Sequence, residues 1–157
     1  MYYYYRYRAF ISLQARVQLS KAITFGRGTV IKAFTIVQTH NGKISFGENC
    51  GVSNFNHIST VDADVTIGNN VRLGPNVTIL GSGRIFSKKN VPIVEQGYTH
   101  KGVTIGNDVL IGAGAIILDG CNISDGAVIG AGSIVDKDVP PYSIAFGAPS
   151  RVVWKRL

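Results

Sequence analysis

The chain has 157 residues, of which 45% are hydrophobic and 16% are charged, and its formal net charge is +7. This balance indicates one domain with a buried core and excludes a disordered chain, while the 19 glycines follow no Gly-X-Y triplet, which excludes collagen. The positive charge suits phosphate-bearing partners, but the sequence holds no recognised nucleic-acid-binding module, so no nucleic-acid partner is predicted.

The N-terminal segment is rich in tyrosine and arginine. Residues 1–10 hold five tyrosines, two arginines and one phenylalanine, a mixture that suits a membrane interface. The alternative, which we favour, is that residues 1–24 form a cap or a partial first coil at the open end of the repeat described below. This start is a poor signal peptide and no apolar run of about 18 residues follows it, so the predicted location is cytoplasmic, with peripheral contact at the inner face of the membrane as a variant.

From residue 25 onward, aliphatic residues recur with a period of six. This period fits a short strand with two inward side chains followed by a corner, and three such units would close one triangular coil. Glycines beside the repeat are expected to serve corners that need a positive φ. The repeating positions are Phe25, Ile31, Val37; Phe46, Val52, Ile58; Ile67, Leu73, Ile79; Ile105, Ile111, Ile117; and Ile123, Ile129, Val135.

These groups predict an all-β parallel β-helix of about five coils over residues 25–137, with a C-terminal extension at 138–157. The spacing departs from six at one corner only: the steps 37–46 and 58–67 are nine residues, and the step 79–105 is 26. A loop near residues 80–102 must therefore leave the prism at that corner. Because insertions on one edge of a repeat usually mark its functional face, the site is expected there.

Four segments carry a resemblance to a known family. They read SNFNHISTVDADVTIG at 53–68, IGNNVRLGPNVTI at 67–79, VTIGNDVLIGAGAIILDG at 103–120 and GAVIGAGSIVDKDVPPYSIAFGAPSRVV at 126–153. In these segments the chain resembles the hexapeptide-repeat acyltransferases, in particular the galactoside and maltose acetyltransferase branch and polysaccharide-biosynthesis O-acetyltransferases. The resemblance implies a left-handed helix, a homotrimer with sites between subunits, acetyl-CoA as donor, and a saccharide or sugar-nucleotide acceptor that is acetylated in surface polysaccharide biosynthesis.

The resemblance also assigns residues to the donor side. Ala113, Gly130 and Ala131 match positions where small side chains let the pantetheine arm of acetyl-CoA approach the backbone, and plain corner packing is the alternative. Lys137 and Arg151 match cations near the CoA phosphates, where they would form charge-assisted hydrogen bonds. For both, a solvated surface cation is the alternative.

On the acceptor side, the resemblance assigns Asn56 and Asp62 to sugar binding or to orientation of the base. Asn56 occupies an inward position, where the alternative is an asparagine stacked on its neighbours and hydrogen-bonded to backbone. Asp62 lies in the insertion of the second coil. Arg84 cannot act as a base, but it could hold an anionic acceptor such as a sugar nucleotide; a surface arginine is the alternative.

A catalytic histidine is expected early in the loop of this family, but the residues after Ile79 read LGSGRIF. A sugar hydroxyl needs a base with a pKa near neutrality, and histidine suits this role best. We therefore predict His57, an outward residue beside Asn56, as the base, with His100 at the return of the loop as the second candidate. His40 is expected to be a surface residue.

Three alternatives stay open. Without the loop histidine, the protein could be a β-helical binding protein without turnover, or it could acetylate an amine, which is already nucleophilic. A zinc enzyme like the β-helical carbonic anhydrases would need three converging histidines, and the spacing of His40, His57 and His100 argues against it, so no metal is predicted. Cys50 and Cys121 fall at inward positions and are expected to be buried free thiols.

Overall fold

The computed structural model describes residues 8–157, so the predicted contacts of residues 1–7 lie outside the described residues. In chain order the strands are β1 (Phe10–Ile11), β2 (Arg16–Val17), β3 (Ile23–Phe25), β4 (Val30–Ile31), β5 (Ile36–His40), β6 (Ile44–Phe46), β7 (Gly51–Val52), β8 (His57–Val61), β9 (Val65–Ile67), β10 (Arg72–Leu73), β11 (Thr78–Leu80), β12 (Gly83–Arg84), β13 (Tyr98–Thr99), β14 (Val103–Ile105), β15 (Leu110–Ile111), β16 (Ile116–Ile117), β17 (Asn122–Ile123), β18 (Val128–Ile129), β19 (Ile134–Val135), β20 (Ser143–Gly147) and β21 (Ser150–Lys155). Among the described residues, one 3-10 turn covers Ile93–Glu95. Within residues 8–157, no helix has the length and apolar character needed to cross a bilayer.

The strands stack into three parallel sheets, which form the faces of a prism. Sheet A contains β1, β4, β7, β10, β15, β18 and β20; sheet B contains β2, β5, β8, β11, β16 and β19; and sheet C contains β3, β6, β9, β14 and β17. The chain visits the faces in the order A, B, C, and strands one turn apart pair in register. The predicted all-β parallel β-helix is confirmed. It has about six turns rather than five, because β1 and β2 extend sheets A and B by one further turn.

The predicted aliphatic columns form the core. Each repeat position named in the sequence is buried, and Phe25 stacks on Phe46 with ring centres 5.0 Å apart. Burial of each Val, Leu, Ile or Phe side chain contributes about 1.5–3 kcal/mol. The repeat therefore stabilises the prism at every coil rather than at one central cluster.

Glycines beside the columns allow close stacking of the coils. Gly112 has an ordinary backbone conformation, but a Cβ placed on it would lie 2.5 Å from the backbone nitrogen of Ala131 in the next coil. The positive φ falls two residues later, at Gly114 and Gly132, and at Asn76 in the coil below. The expectation of a positive φ is thus wrong at Gly112, because the distance between coils, not the corner, requires glycine there.

The predicted loop leaves the prism between β11 and β14. It folds back through the antiparallel pair β12–β13, and the side-chain amide of Gln96 holds its tip through bonds of 2.7–2.9 Å to the backbone of Lys88 and Val91. All insertions fall at the corner between sheets B and C, which we call the B–C edge. The corner between sheets A and B, the A–B edge, carries none. At the C-terminus, β20 stacks on β18, and β21 turns back against β20.

Candidate active site

His100 lies at the return of the extruded loop, on the B–C edge. Its Nδ1 is 2.8 Å from the backbone carbonyl oxygen of Val61, the last residue of β8. A carbonyl oxygen can only accept a hydrogen bond, so in the neutral imidazole Nδ1 carries the proton and Nε2 keeps its lone pair. The side chain is exposed, so a ligand can reach it. A backbone contact therefore orients His100 as a general base requires.

Arg84 and Tyr98 extend from the antiparallel pair β12–β13 beside His100. The guanidinium carbon of Arg84 lies 4.1 Å from the centre of the Tyr98 ring, and that centre is 6.2 Å from the centre of the His100 ring. The cation–π contact limits the motion of Arg84 while its charge faces solvent. One positive charge is therefore held one aromatic ring away from His100.

His57 begins β8 and points outward from sheet B, between Ile36 in the coil below and Thr78 in the coil above. Its side chain is half-buried, and its Nε2 is buried without a hydrogen-bond partner among residues 8–157. A buried nitrogen without a partner costs free energy. A ligand or another chain that supplied a hydrogen-bond partner to Nε2 of His57 would therefore bind more favourably.

Asn56 is buried, and its amide is used by the backbone. Its Nδ2 donates to the carbonyl of Ser53 at 2.6 Å, and its Oδ1 accepts from the N–H of Val77 in the coil above at 2.7 Å. This geometry fits the stacked-asparagine alternative and fixes the start of β8, where His57 lies. Asp62 is instead exposed, with a φ of 50°, directly after Val61. Asp62 thus shares the B–C edge with His100.

His40 ends β5 and pairs with Val61 one coil above. It is exposed, as expected, but it also lines a cleft on sheet B together with Gln38 and Ser59. The three histidines do not converge on one point. Among residues 8–157 of one chain, no group of three or more His, Cys, Asp or Glu side chains could hold a metal ion.

The small residues assigned to the donor lie on the A–B edge. Ala113 and Ala131 are both exposed and lie one coil apart, and the N–H of Gly132 donates to the carbonyl of Ala113 at 2.8 Å. We call Ala113 and Ala131 the donor strip. Gly130 differs from them, because it is buried and a Cβ on it would overlap the ring of Phe146. Packing against Phe146 explains this glycine, and its role in donor binding stays a prediction.

Lys137 and Arg151 line one depression of about 190 Å³ at the C-terminal end of the prism. The Nη1 of Arg151 donates to the carbonyl of Ser150 at 2.7 Å and lies 3.8 Å from the Asp136 carboxylate. Both cations are exposed, as are Asp136 and Asp138, the second of which lines the same depression, so these carboxylates offset little of the positive charge. Two cations that distant segments bring to one depression are suited to bind a phosphate.

The two free thiols are buried. Burial raises the pKa of Cys50, and burial together with the carboxylates of Asp138, Asp136 and Asp119 raises the pKa of Cys121 from 9.0 to about 11. Because the thiolate is the nucleophilic form, neither cysteine is suited to accept an acyl group at neutral pH.

Sequence reasoning missed two features of this site. One is the Val61 carbonyl that orients His100, and the other is the cleft below it on sheet B. The nine-residue steps at the B–C edge carried part of the signal, because they lengthen β5 and β8 to five residues each. Only the return path of the loop decides which carbonyl meets His100.

A parallel β-helix of stacked six-residue units, with a strip of small residues on one edge and a loop on another, is the architecture that a hexapeptide repeat predicts. The family described as "Bacterial transferase hexapeptide (six repeats)" matches residues 102–137. The resemblance to hexapeptide-repeat acyltransferases inferred from the sequence is thereby confirmed.

Similar proteins include acetyltransferases and N-acyltransferases of several kinds. The galactoside O-acetyltransferase of Escherichia coli (strain K12) is 41% identical over 115 residues, covering 69% of this chain and 55% of the relative. A mutant of AntD, an N-acyltransferase from Bacillus cereus solved with dTDP and coenzyme A, has a TM-score of 0.83 at 21% identity, covering 95% of this chain and 82% of AntD. A maltose O-acetyltransferase from Clostridium difficile 630 has a TM-score of 0.60 at 28% identity, covering 94% and 66%. The chain spans about half the length of the curated relatives it matches.

Proposed function

We propose that the protein is an acetyltransferase that moves an acetyl group from acetyl-CoA to a hydroxyl or an amine of a saccharide. The observation that carries this proposal is the 2.8 Å contact between Nδ1 of His100 and the Val61 carbonyl. It supplies an oriented base where the loop histidine of the family is missing. The similarity to galactoside O-acetyltransferase supports the same reaction class.

In the proposed reaction, His100 acts as the general base. Its Nε2 takes the proton of the acceptor hydroxyl as the oxygen attacks, while Nδ1–H stays bonded to the Val61 carbonyl and stabilises the imidazolium. Bound acetyl-CoA supplies the activated thioester carbonyl, and the imidazolium returns the proton to the leaving sulfur. For an amine acceptor, the attacking nitrogen becomes cationic as it bonds to the carbonyl carbon, and His100 removes one of the protons that the nitrogen already carries. Oriented general bases contribute about 100- to 10,000-fold to such rates.

The donor strip and the two C-terminal cations would hold the donor. The exposed methyl side chains of Ala113 and Ala131 leave room for a pantetheine arm along the backbone, and Gly130 lies in the same corner. Lys137 and Arg151 would bind the phosphates through charge-assisted hydrogen bonds. AntD, which shares the fold, was solved with coenzyme A, and this supports a CoA thioester as the donor.

The acceptor would lie against the B–C edge. We assign Asp62 and His57 to its hydroxyls, Arg84 to an anionic group on it, and Asn56 to holding β8 in place. The phosphates of a sugar nucleotide would pair with the guanidinium of Arg84, and AntD was solved with dTDP. The proposed setting is a homotrimer that acts in the cytoplasm in surface polysaccharide biosynthesis, with the tyrosine-rich N-terminus as a candidate contact with the membrane.

The test is release of free CoA thiol from acetyl-CoA in the presence of purified protein and a panel of saccharides and amino sugars. We expect release that depends on one class of acceptor and an acetylated product that is 42 Da heavier by mass spectrometry, about the mass that an acetyl group adds when it replaces hydrogen. Binding of CoA without release above the buffer rate, for every acceptor, would instead favour the β-helical binding protein that the missing loop histidine allows.

A further inference from the structure

A cleft lies on sheet B directly below the candidate base. Its volume is about 560 Å³, within the range of about 300–1,000 Å³ that ligand sites occupy. It is lined by the adjacent strands β2, β5 and β8, of which β5 and β8 are the two five-residue strands of sheet B. Val61 lies at its upper end, and the Val61 carbonyl is the group that contacts His100. The cleft therefore leads to the reacting position that the proposed function requires.

The side chains in the cleft are mostly polar. Gln38 and Ser59 are register partners on β5 and β8, and the Oε1 of Gln18 accepts from the N–H of Thr39 at 2.8 Å. Amides and hydroxyls offer donors and acceptors together, which is what a run of sugar hydroxyls needs. This chemistry fits a saccharide better than an apolar ligand.

The cleft also carries positive charge. Arg16 lines it, and His40 lies between it and an adjoining depression of about 440 Å³ that Lys43 lines. None of the described residues lining either depression is Asp or Glu, and within residues 8–157 neither Arg16 nor Lys43 forms an ion pair. The acidic residues of this corner are Asp62, which follows Val61, and Asp64, which accepts the backbone N–H of Lys43 at 2.8 Å. The exposed guanidinium of Arg16 is thus available to an anion.

We propose that this cleft binds the non-reacting part of the acceptor and that this part is an anionic saccharide, with its carboxylate or phosphate at Arg16. The inference rests on the proposed function, because it places the acceptor's reacting end at His100. Arg16 then lies near one end of the acceptor, and Arg84, which is near His100 and does not line the cleft, lies near the other. An acceptor of more than one sugar unit follows from the same geometry, since the cleft extends from Val61 over two coils to Arg16.

The test compares three probes on the wild-type protein and on two variants. The probes are trigalacturonate, neutral galactotriose of the same length, and galactose 1-phosphate. Arg16→Gln removes the charge in the cleft, and Arg27→Gln removes an exposed charge on a corner that the cleft does not reach. Dissociation constants are measured by calorimetry without acetyl-CoA, KM and kcat by thiol release, and assembly mass by sedimentation.

We expect an anionic probe to bind about tenfold tighter than galactotriose, the scale of one charge-assisted hydrogen bond. Arg16→Gln should remove this preference and raise KM for the anionic acceptor, while kcat and the KM for acetyl-CoA stay unchanged. Arg27→Gln should keep the preference for the anionic probe. Selectivity for trigalacturonate identifies a carboxylate, and selectivity for galactose 1-phosphate identifies a phosphate.

Three results would overturn the inference: equal binding of charged and neutral probes, equal effects of Arg16→Gln and Arg27→Gln, or a change in assembly mass with Arg16→Gln and none in affinity. The last result would mean that a second copy of the chain covers the cleft. Failure of the proposed function is a separate outcome, because absence of thiol release with every acceptor leaves the calorimetric comparison intact.

Discussion

At His100, one backbone contact decides which ring nitrogen can take a proton. The Val61 carbonyl fixes the proton on Nδ1, whereas the Nε2 of His57 is buried without a partner. The sequence favoured His57 because it adjoins Asn56. We place His100 first in our proposal, since a base must be both oriented and reachable, and both assignments stay predictions.

The substitution His100→Asn tests this assignment. The asparagine Nδ2 can still donate to the Val61 carbonyl, so the loop keeps its anchor while the base is lost. We expect kcat to fall by about 100- to 10,000-fold with an O-acceptor, and KM for acetyl-CoA to stay unchanged. His57→Asn is the matched variant and should cost less. Steady-state thiol release measures both, and the opposite order of losses would move the base back to His57.

At the scale of the coil, two glycines on the A–B edge meet different demands. Gly112 has ordinary dihedral angles, but a Cβ would lie 2.5 Å from the backbone of the next coil. Gly132 has a φ of +68° and open space around its Cβ position. The first requirement is steric and cannot relax without separating the coils, whereas the second is conformational and local.

These two requirements predict how much each of three substitutions lowers the free energy of unfolding. Gly112→Ala should cost about 3 kcal/mol, because overpacking against backbone forces the coils apart. Gly132→Ala should cost about 1 kcal/mol from the left-handed conformation alone. Gly132→Asn should cost less than Gly132→Ala, since Asn76 takes this conformation at the matching corner below. Midpoints of urea unfolding compare the three, and a larger loss at Gly132→Ala than at Gly112→Ala would contradict the steric argument.

The elements also differ in how far the sequence could predict them. The inward columns were predictable because a period of six leaves one register that buries Ile105, Ile111 and Ile117 together. The pair β12–β13 was not, because no period marks its partners within the loop, and the anchoring of His100 was not, because it depends on a contact between residues 39 positions apart in the chain. Gly130 was assigned to the donor by the family resemblance, which stays a prediction, whereas no sequence pattern revealed the ring of Phe146 that packs against it. The core thus follows from local periodicity, and the site from the path of the loop.

For the whole molecule, the two halves of the candidate site lie on opposite edges of sheet B. The donor strip is on the A–B edge, and His100 with Val61 is on the B–C edge. A strand rises about 3.3 Å per residue, so a five-residue strand such as β8 separates these edges by about 16 Å. A thioester on the donor strip therefore cannot reach His100 of the same chain across the flat face. A closed ring of three chains would bring the A–B edge of one beside the B–C edge of the next.

This arrangement predicts complementation between two inactive variants. His100→Asn keeps the donor strip and loses the base, whereas Ala131→Trp blocks the donor strip and keeps the base. After the two are mixed in equal amounts, unfolded and refolded together, about one quarter of the interfaces would join an intact donor strip to an intact base, so activity should return to about one quarter of wild type. Native mass spectrometry confirms that hybrids have formed, and refolding each variant alone is the control. If hybrids form while activity stays at the level of the parents, the donor and the base belong to the same chain, and the ring does not build the site.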